Sequence, residues 1–171
     1  KITPSRKLKP IKILERGQLL ESTAYAALCN LPDQIAHREL DLVAEKLGLP
    51  DEAKHIVCHD ASGAGNVLAI ECRSEHTTEL FTAFGEKGLA AEDVAKNALK
   101  QVQRYLKSEA PVGDYLADQL LLPMSLAKRG SFRAISLSQH FRTNQHIIQK
   151  FLDVKITTTR EDRLCWLVEI H

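Results

Sequence analysis

Two short stretches hold the side chains with the most chemistry to offer. In the first, Tyr115, Asp118 and Gln119 stand at i, i+3 and i+4. On a helix that spacing gathers them on one face, while Val112, Leu116 and Leu120 share another. An aromatic ring, a carboxylate and an amide so placed could be no more than a solvated face. They also match what a nucleotide requires: a flat ring for a base, a two-way hydrogen-bonding group, and an anion to hold a metal or orient a histidine. The second stretch, Ser138-Gln-His140-Phe-Arg-Thr-Asn144, falls between an expected strand and an expected helix. Backbone N–H groups and the helix dipole favour a phosphate at such a junction. A neutral imidazole there can attack phosphorus. His140 is also one of seven histidines, and a loop histidine can equally be an ordinary surface residue, as Arg142 can be a solvated charge.

The surrounding pattern supplies the elements that must position these groups. Residues 11–15 alternate weakly as a strand, Arg16-Gly17 breaks it, and a longer strand covers 19–29. Pro32 opens a helix to about Leu47, with Ile35, Leu40, Val43 and Leu47 on its apolar stripe and Gly48 and Pro50 behind it. Residues 54–59 and 66–73 read as two strands joined in a hairpin by Asp60-Ala-Ser-Gly-Ala-Gly65, and 77–84 as a third. Val94, Ala98, Val102 and Leu106 mark an amphipathic helix over 91–106. Residues 16–110 thus form a βαβββα-like unit. Beyond Ser108-Glu-Ala-Pro111 come a helix over 112–122 that Pro123 ends or kinks, a strand over 131–137, and a helix over 143–152 with Thr143 as its N-cap. A final hairpin spans 154–159 and 164–170. This tail is small for an independent domain and leaves a sheet face needing cover.

Composition narrows the classes. The 23 basic and 22 acidic residues leave a formal charge of +1, so contact with a nucleic acid must come from a local patch rather than a global field. Five Phe, three Tyr and one Trp are too few for a base-stacking sheet. No apolar run approaches the ~18 residues of a membrane span, so no membrane partner is expected. Cys29, Cys58, Cys72 and Cys165 are scattered, which fits reduced thiols in the cytoplasm, or the nucleus of a eukaryote. Lys1 is not a Met and residues 1–10 read as an extended arm, so the natural chain is expected to begin further upstream.

Taken together, Pro111-Val-Gly-Asp-Tyr-Leu-Ala-Asp-Gln-Leu-Leu-Leu-Pro-Met-Ser-Leu-Ala127, Ser138-x-His140-x-x-Thr-Asn144 and Phe151-Leu152 resemble the RNA 3′-terminal phosphate cyclase family. The resemblance extends through Gly65-Asn66, Gly85-Glu-Lys87 and Tyr105-Leu106, and covers only the second half of a family member. It implies an α/β (α+β) fold in which residues 1–15 and 111–171 belong to a large catalytic domain. That domain is built from βαβαββ-type repeats similar to the C-terminal domain of translation initiation factor 3, and residues 16–110 are its inserted small α/β domain. It implies that His140 is the nucleophile forming a covalent histidine–AMP adduct with ATP, that Tyr115 stacks on adenine, that Asp118 and Gln119 lie beside the nucleotide, and that Asn144 supports the loop. Mg²⁺ or Mn²⁺ would accompany ATP. The substrate would be an RNA 3′-phosphate end, converted to a 2′,3′-cyclic phosphate, and the partners would include the N-terminal half of the same protein and, by allowance, a second copy in a homodimer. The family's glycine-rich N-terminal segment and upstream arginines are not in this sequence, so the 171 residues alone are expected to be inactive.

Three other readings stand beside this one. Relatives in ribosome biogenesis keep the fold but lack cyclase activity and the nucleophilic histidine. His55, Cys58, His59 and Cys72 are of metal-ligand type, although their spacing fits no familiar zinc pattern and strand alternation separates Cys58 from His59. Lys96, Lys100, Arg104 and Lys107 line one side of the 91–106 helix and its end, a stripe that could be a solvated face or a guide for RNA phosphates.

Overall fold

A computed structural model describes residues 8–60 and 62–171, so most of the expected N-terminal arm and Ala61 of the expected 60–65 turn lie outside the described residues. The elements in chain order are β1 (Ile11–Ile13), β2 (Leu19–Cys29), α1 (Gln34–Leu47), β3 (Lys54–His59), β4 (Gly65–Ser74), β5 (Thr78–Phe84), α2 (Ala91–Leu106), α3 (Asp114–Leu126), β6 (Gly130–Ala134), α4 (Gln139–Phe151), β7 (Ile156–Asp162) and β8 (Cys165–Ile170), with a single 3₁₀ turn at Asp51–Ala53. They divide between two compact units, residues 1–17, 75–77 and 108–171 in one, 18–74 and 78–107 in the other. The mixed α/β content is that of an α+β fold, with a four-stranded sheet in each unit.

In the unit of residues 18–74 and 78–107 the strand order is β3-β2-β4-β5. β2 pairs parallel with β3 and antiparallel with β4. The hairpin expected between 54–59 and 66–73 is therefore not formed, because β2 lies between those strands. The reason is burial. Ala24, Ala26 and Leu28 of β2 are almost wholly buried and pair with Ile70, Leu68 and Asn66 of β4, so β2 takes the centre. β3 is mostly exposed and goes to the edge. A parallel β2–β3 pair needs a crossover, and α1 provides it. Gly48 ends α1 in the left-handed region (φ 67°), its N–H bonding back to Ala44. On α2, Val94, Ala98 and Val102 are buried, as the apolar spacing requires, whereas Leu106 is half-buried and Tyr105, one position earlier, fills the core instead.

One polar pair lies inside this core. Asn66 Nδ2 donates to Glu39 Oε1 at 2.5 Å, and Glu39 is fully buried. Glu39 Oε2 and Asn66 Oδ1 have no partner among the described residues. A Cβ at Gly85 would lie 2.8 Å from Asn66 Cβ and Nδ2, so only glycine allows this approach.

In the other unit the order is β1-β6-β8-β7, with β1 and β6 parallel and the remaining pairs antiparallel. The β7–β8 hairpin is formed as the sequence suggests. Phe132, Val168, Ile156 and Ile170 from the sheet pack with Leu121 and Met124 of α3 and Phe141 and Ile148 of α4. Among the expected boundaries that move are the start of α3, at Asp114 rather than 112, and the end of the strand expected over 131–137, at Ala134. α3 continues through Pro123 to Leu126 because Met124 and Ser125 are buried, and tertiary packing outweighs the lost N–H. α4 starts at Gln139 rather than Thr143, because Ser138 is its cap: the Ser138 Oγ accepts the Phe141 N–H at 3.0 Å.

Burial pushes the Glu39 carboxyl up from its ordinary value of 4.5, against the Asn66 hydrogen bond. The native state then holds a proton that the unfolded state releases, so the stability associated with Glu39 is greatest in acid and falls as pH rises above about 4.5. Glu39→Gln should remove that fall: melting curves of parent and variant across the acid-to-neutral range should diverge in the variant's favour toward neutral pH, and parallel curves would contradict it.

Candidate active site

Packing on the sheet decides which sides of α3 and α4 remain accessible. Val112, just ahead of α3, forms a parallel bridge with Ala134, the last residue of β6. Val112 N donates to the Arg133 carbonyl at 3.2 Å and Ile135 N to the Val112 carbonyl at 3.0 Å. The Ser136 hydroxyl then hydrogen-bonds the Asp114 carboxylate in the first turn of α3. α4 begins five residues after Ala134. Both helices therefore begin at the carboxyl end of β6. Their N-terminal N–H groups, unsatisfied within each helix, gather at one end of the sheet.

The two starts are not equivalent. α3 carries Asp114 in its first turn, whereas α4 has no acidic residue there. The N-terminus of α4 is thus the better place for an anion. His140 is the second residue of α4 and is exposed, while its neighbour Phe141 is fully buried. The sequence put His140 in a loop before a helix. It stands instead in the first turn, its position set by the Ser138 cap behind it and the buried Phe141 ring ahead.

Asn144 lies one turn after His140 on the same side of α4, and its Nδ2 donates to Asp118 Oδ1 at 2.5 Å. Asp118 is half-buried between the helices; Tyr115, one turn earlier on α3, is 64% exposed, and Gln119 is exposed. The missing N–H of Pro123 also leaves the Gln119 carbonyl without its i+4 helical donor. The bond between Asp118 and Asn144 joins the two residue groups that the sequence singled out separately. Tyr115 and Gln119 flank it on α3 and His140 on α4. The arrangement offers a flat ring, an amide and an imidazole to solvent around one fixed carboxylate, beside a helix start free of acid.

Further residues support this side of the unit. Ser138 was legible in principle as Ser-x-x-Phe ahead of an apolar period. Gln145 and Gln149 were not: their side chains bond the Ile156 carbonyl and N–H at 3.0 and 2.7 Å, fixing α4 to the start of β7. The guanidiniums of Arg142 and Arg160 lie 6.0 and 5.8 Å from the Trp166 ring centre, at cation–π distance. Arg133 Nε donates to Glu161 at 2.6 Å and holds that carboxyl below its ordinary range. Burial, then the neighbouring Glu161, pushes the Cys165 thiol up. The metal-module alternative fails on geometry. Cys58 and Cys72 pair with Leu28 and Ser22, six positions apart along β2, while His55 and His59 pair with Tyr25 and Cys29 on the opposite face. No group of three or more His, Cys, Asp or Glu side chains able to hold a metal occurs among the described residues. Nor, among them, is any helix long and apolar enough to cross a membrane.

Residues 14–107 match the family model of the RNA 3′-terminal phosphate cyclase (RTC) insert domain. Over 162 residues the chain is 44% identical to the RNA 3′-terminal phosphate cyclase of Koribacter versatilis (strain Ellin345), covering 94% of this chain and 46% of that protein. It is 44% identical over 156 residues to the cyclase of Pseudomonas fluorescens (91% and 45% covered) and 38% identical over 157 residues to that of Salmonella typhimurium (91% and 46%). The chain spans about half the length of the curated relatives it matches.

The Asp118–Asn144 bond generates a stability prediction. Asp118→Ala and Asn144→Ala should each lower unfolding free energy by about 1 kcal/mol, the usual net worth of such a bond, and the double variant should lose less than their sum. Strict additivity in urea denaturation would contradict it.

Proposed function

The chain belongs to the RNA 3′-terminal phosphate cyclase family, and from that premise we propose that it supplies the C-terminal half of an ATP-dependent enzyme that closes RNA 3′-phosphate ends into 2′,3′-cyclic phosphates. The observation that carries this reading is the exposed imidazole in the acid-free first turn of α4, tied through Asn144 and Asp118 to the Tyr115–Gln119 side of α3.

In the proposed mechanism a ring nitrogen of neutral His140 attacks the α-phosphorus of ATP. A P–N bond forms, the bond to the bridging oxygen breaks, pyrophosphate leaves with the electron pair, and the imidazole gives up its remaining proton to solvent. An oxygen of the RNA 3′-phosphate then attacks the same phosphorus, the P–N bond breaks with its electron pair on nitrogen, and the imidazole takes a proton back from solvent to return the neutral histidine. The vicinal 2′-OH finally attacks the activated 3′-phosphorus, losing its proton as AMP departs, and the cyclic phosphate remains. Histidine suits the carrier role because its P–N bond is labile enough to pass AMP onward. The N–H groups at the start of α4 would meet the negative phosphoryl oxygens. Tyr115 would stack on adenine, and the Gln119 amide and carbonyl would bond the nucleotide. Asp118 and Asn144 would act by position, holding α3 and α4 together. The divalent ion, Mg²⁺ or Mn²⁺, enters with the ATP phosphates as part of the substrate, the usual setting for Mg²⁺. The triphosphate and RNA end would be completed by the N-terminal half of the same protein.

The test uses full-length protein and α-labelled ATP. His140→Ala and His140→Asn should abolish the covalent AMP label while leaving the fold intact. Tyr115→Ala should weaken ATP binding by about 1–3 kcal/mol, the worth of one base stack, and Tyr115→Phe should not. An undiminished label in His140→Ala would overturn the assignment.

A further inference from the structure

Charge on this chain is nearly balanced overall at +1, yet it is not evenly spread. Residues 94–108 hold Lys96, Lys100, Arg104 and Lys107 and no acidic residue. All four cations lie on α2 or its C-cap, and all are exposed. At about 100° per residue they fall within an arc of about 80°, with successive cations about 4.5–6 Å apart along the axis. The buried residues Val94, Ala98, Val102 and Tyr105 occupy the opposite side, so packing points the stripe outward. Lys96 is paired with Asp93 at 2.8 Å, but Lys100 and Lys107 have no ion-pair partner among the described residues. The neighbouring α1 differs: its outer side mixes Arg38, Asp41, Glu45 and Lys46, with Arg38 tied to Glu92 and Lys46 to Glu45. Asn97 and Gln103, also exposed, flank the cations as neutral hydrogen-bonding groups.

We propose that this outer face of α2 binds the sugar–phosphate backbone of single-stranded RNA through Lys96, Lys100, Arg104 and Lys107. The inference rests on RNA being the substrate, as argued above, and gives the small unit a role in holding it. A line of cations at regular axial spacing, lacking aromatic side chains, suits a repeating phosphate chain and carries no base preference. It supplies affinity that is independent of sequence and falls with salt through release of counterions.

The test measures binding of a fluorescently labelled oligouridylate to the 171-residue chain by anisotropy over a series of salt concentrations, without ATP. Replacing Lys96, Lys100 and Lys107 together by Gln, a residue that keeps helix propensity, should flatten the slope of log affinity against log salt by about 2, or ~0.7 per lost contact. The same three positions changed to Arg should keep the parental slope, as should Lys46→Gln on α1. An unchanged slope in the Gln triple variant, no RNA binding by the parent at low salt, or tighter binding of oligoglutamate than of RNA would each overturn the proposal, the last in favour of an acidic protein partner. Because the assay needs neither ATP nor His140, its failure leaves the adenylylation reading standing, and loss of that reading leaves the binding result interpretable.

Discussion

The hydrogen bond from Asn144 to Asp118 is the constraint on which the candidate site depends. α3 and α4 are separated in sequence by β6 and pack into one shared core, through Leu121 and Met124 on one and Phe141 and Ile148 on the other. Apolar packing fixes which sides they bury but is forgiving about how their exposed sides line up. A hydrogen bond of 2.5 Å between those sides is directional and ties them at one point. With it in place, the imidazole of His140 and the ring of Tyr115 belong to one surface.

A second constraint is the shared origin of the two helices at the end of β6. The parallel bridge of Val112 to Ala134 fixes the approach to α3, and the Ser138 cap fixes the start of α4. Of the two helix starts, the one at α4 keeps its partial positive charge unopposed, while Asp114 offsets the other. That asymmetry favours an anion at the start of α4, the turn in which His140 stands. The small unit meets a different requirement. Its Glu39–Asn66 pair and the glycine packed against it sit inside the core, whereas its charge is arranged on the outside of α2.

Features that are local were legible in the sequence. The 91–106 helix follows from apolar residues four apart, of which Val94, Ala98 and Val102 are buried and Leu106 only half-buried. The Tyr115, Asp118, Gln119 spacing is also local and falls within one helix, but the apolar side drawn through Val112, Leu116 and Leu120 does not hold: Val112 precedes α3, and Ala117, Leu121 and Met124 are the apolar residues buried. What depended on distant partners was not legible. The hairpin expected across 54–73 ignored that β2, with its small buried side chains, would take the central place. Thr143 and Ser138 are both plausible caps by type; burial of Phe141 selects Ser138, and that burial depends on a core assembled from five other elements. The Asp118–Asn144 bond spans 26 residues, and no periodicity could have paired them.

The central claim is that His140 is the atom-bearing partner of AMP, and the most direct measurement is the chemical identity of the adduct. Full-length protein should be labelled with ATP carrying the label at the α-phosphate, digested under mildly alkaline conditions, and the labelled peptide sequenced by mass spectrometry. The account predicts one acid-labile, alkali-stable label, on His140. A label on a lysine, or on any histidine other than His140, would contradict it.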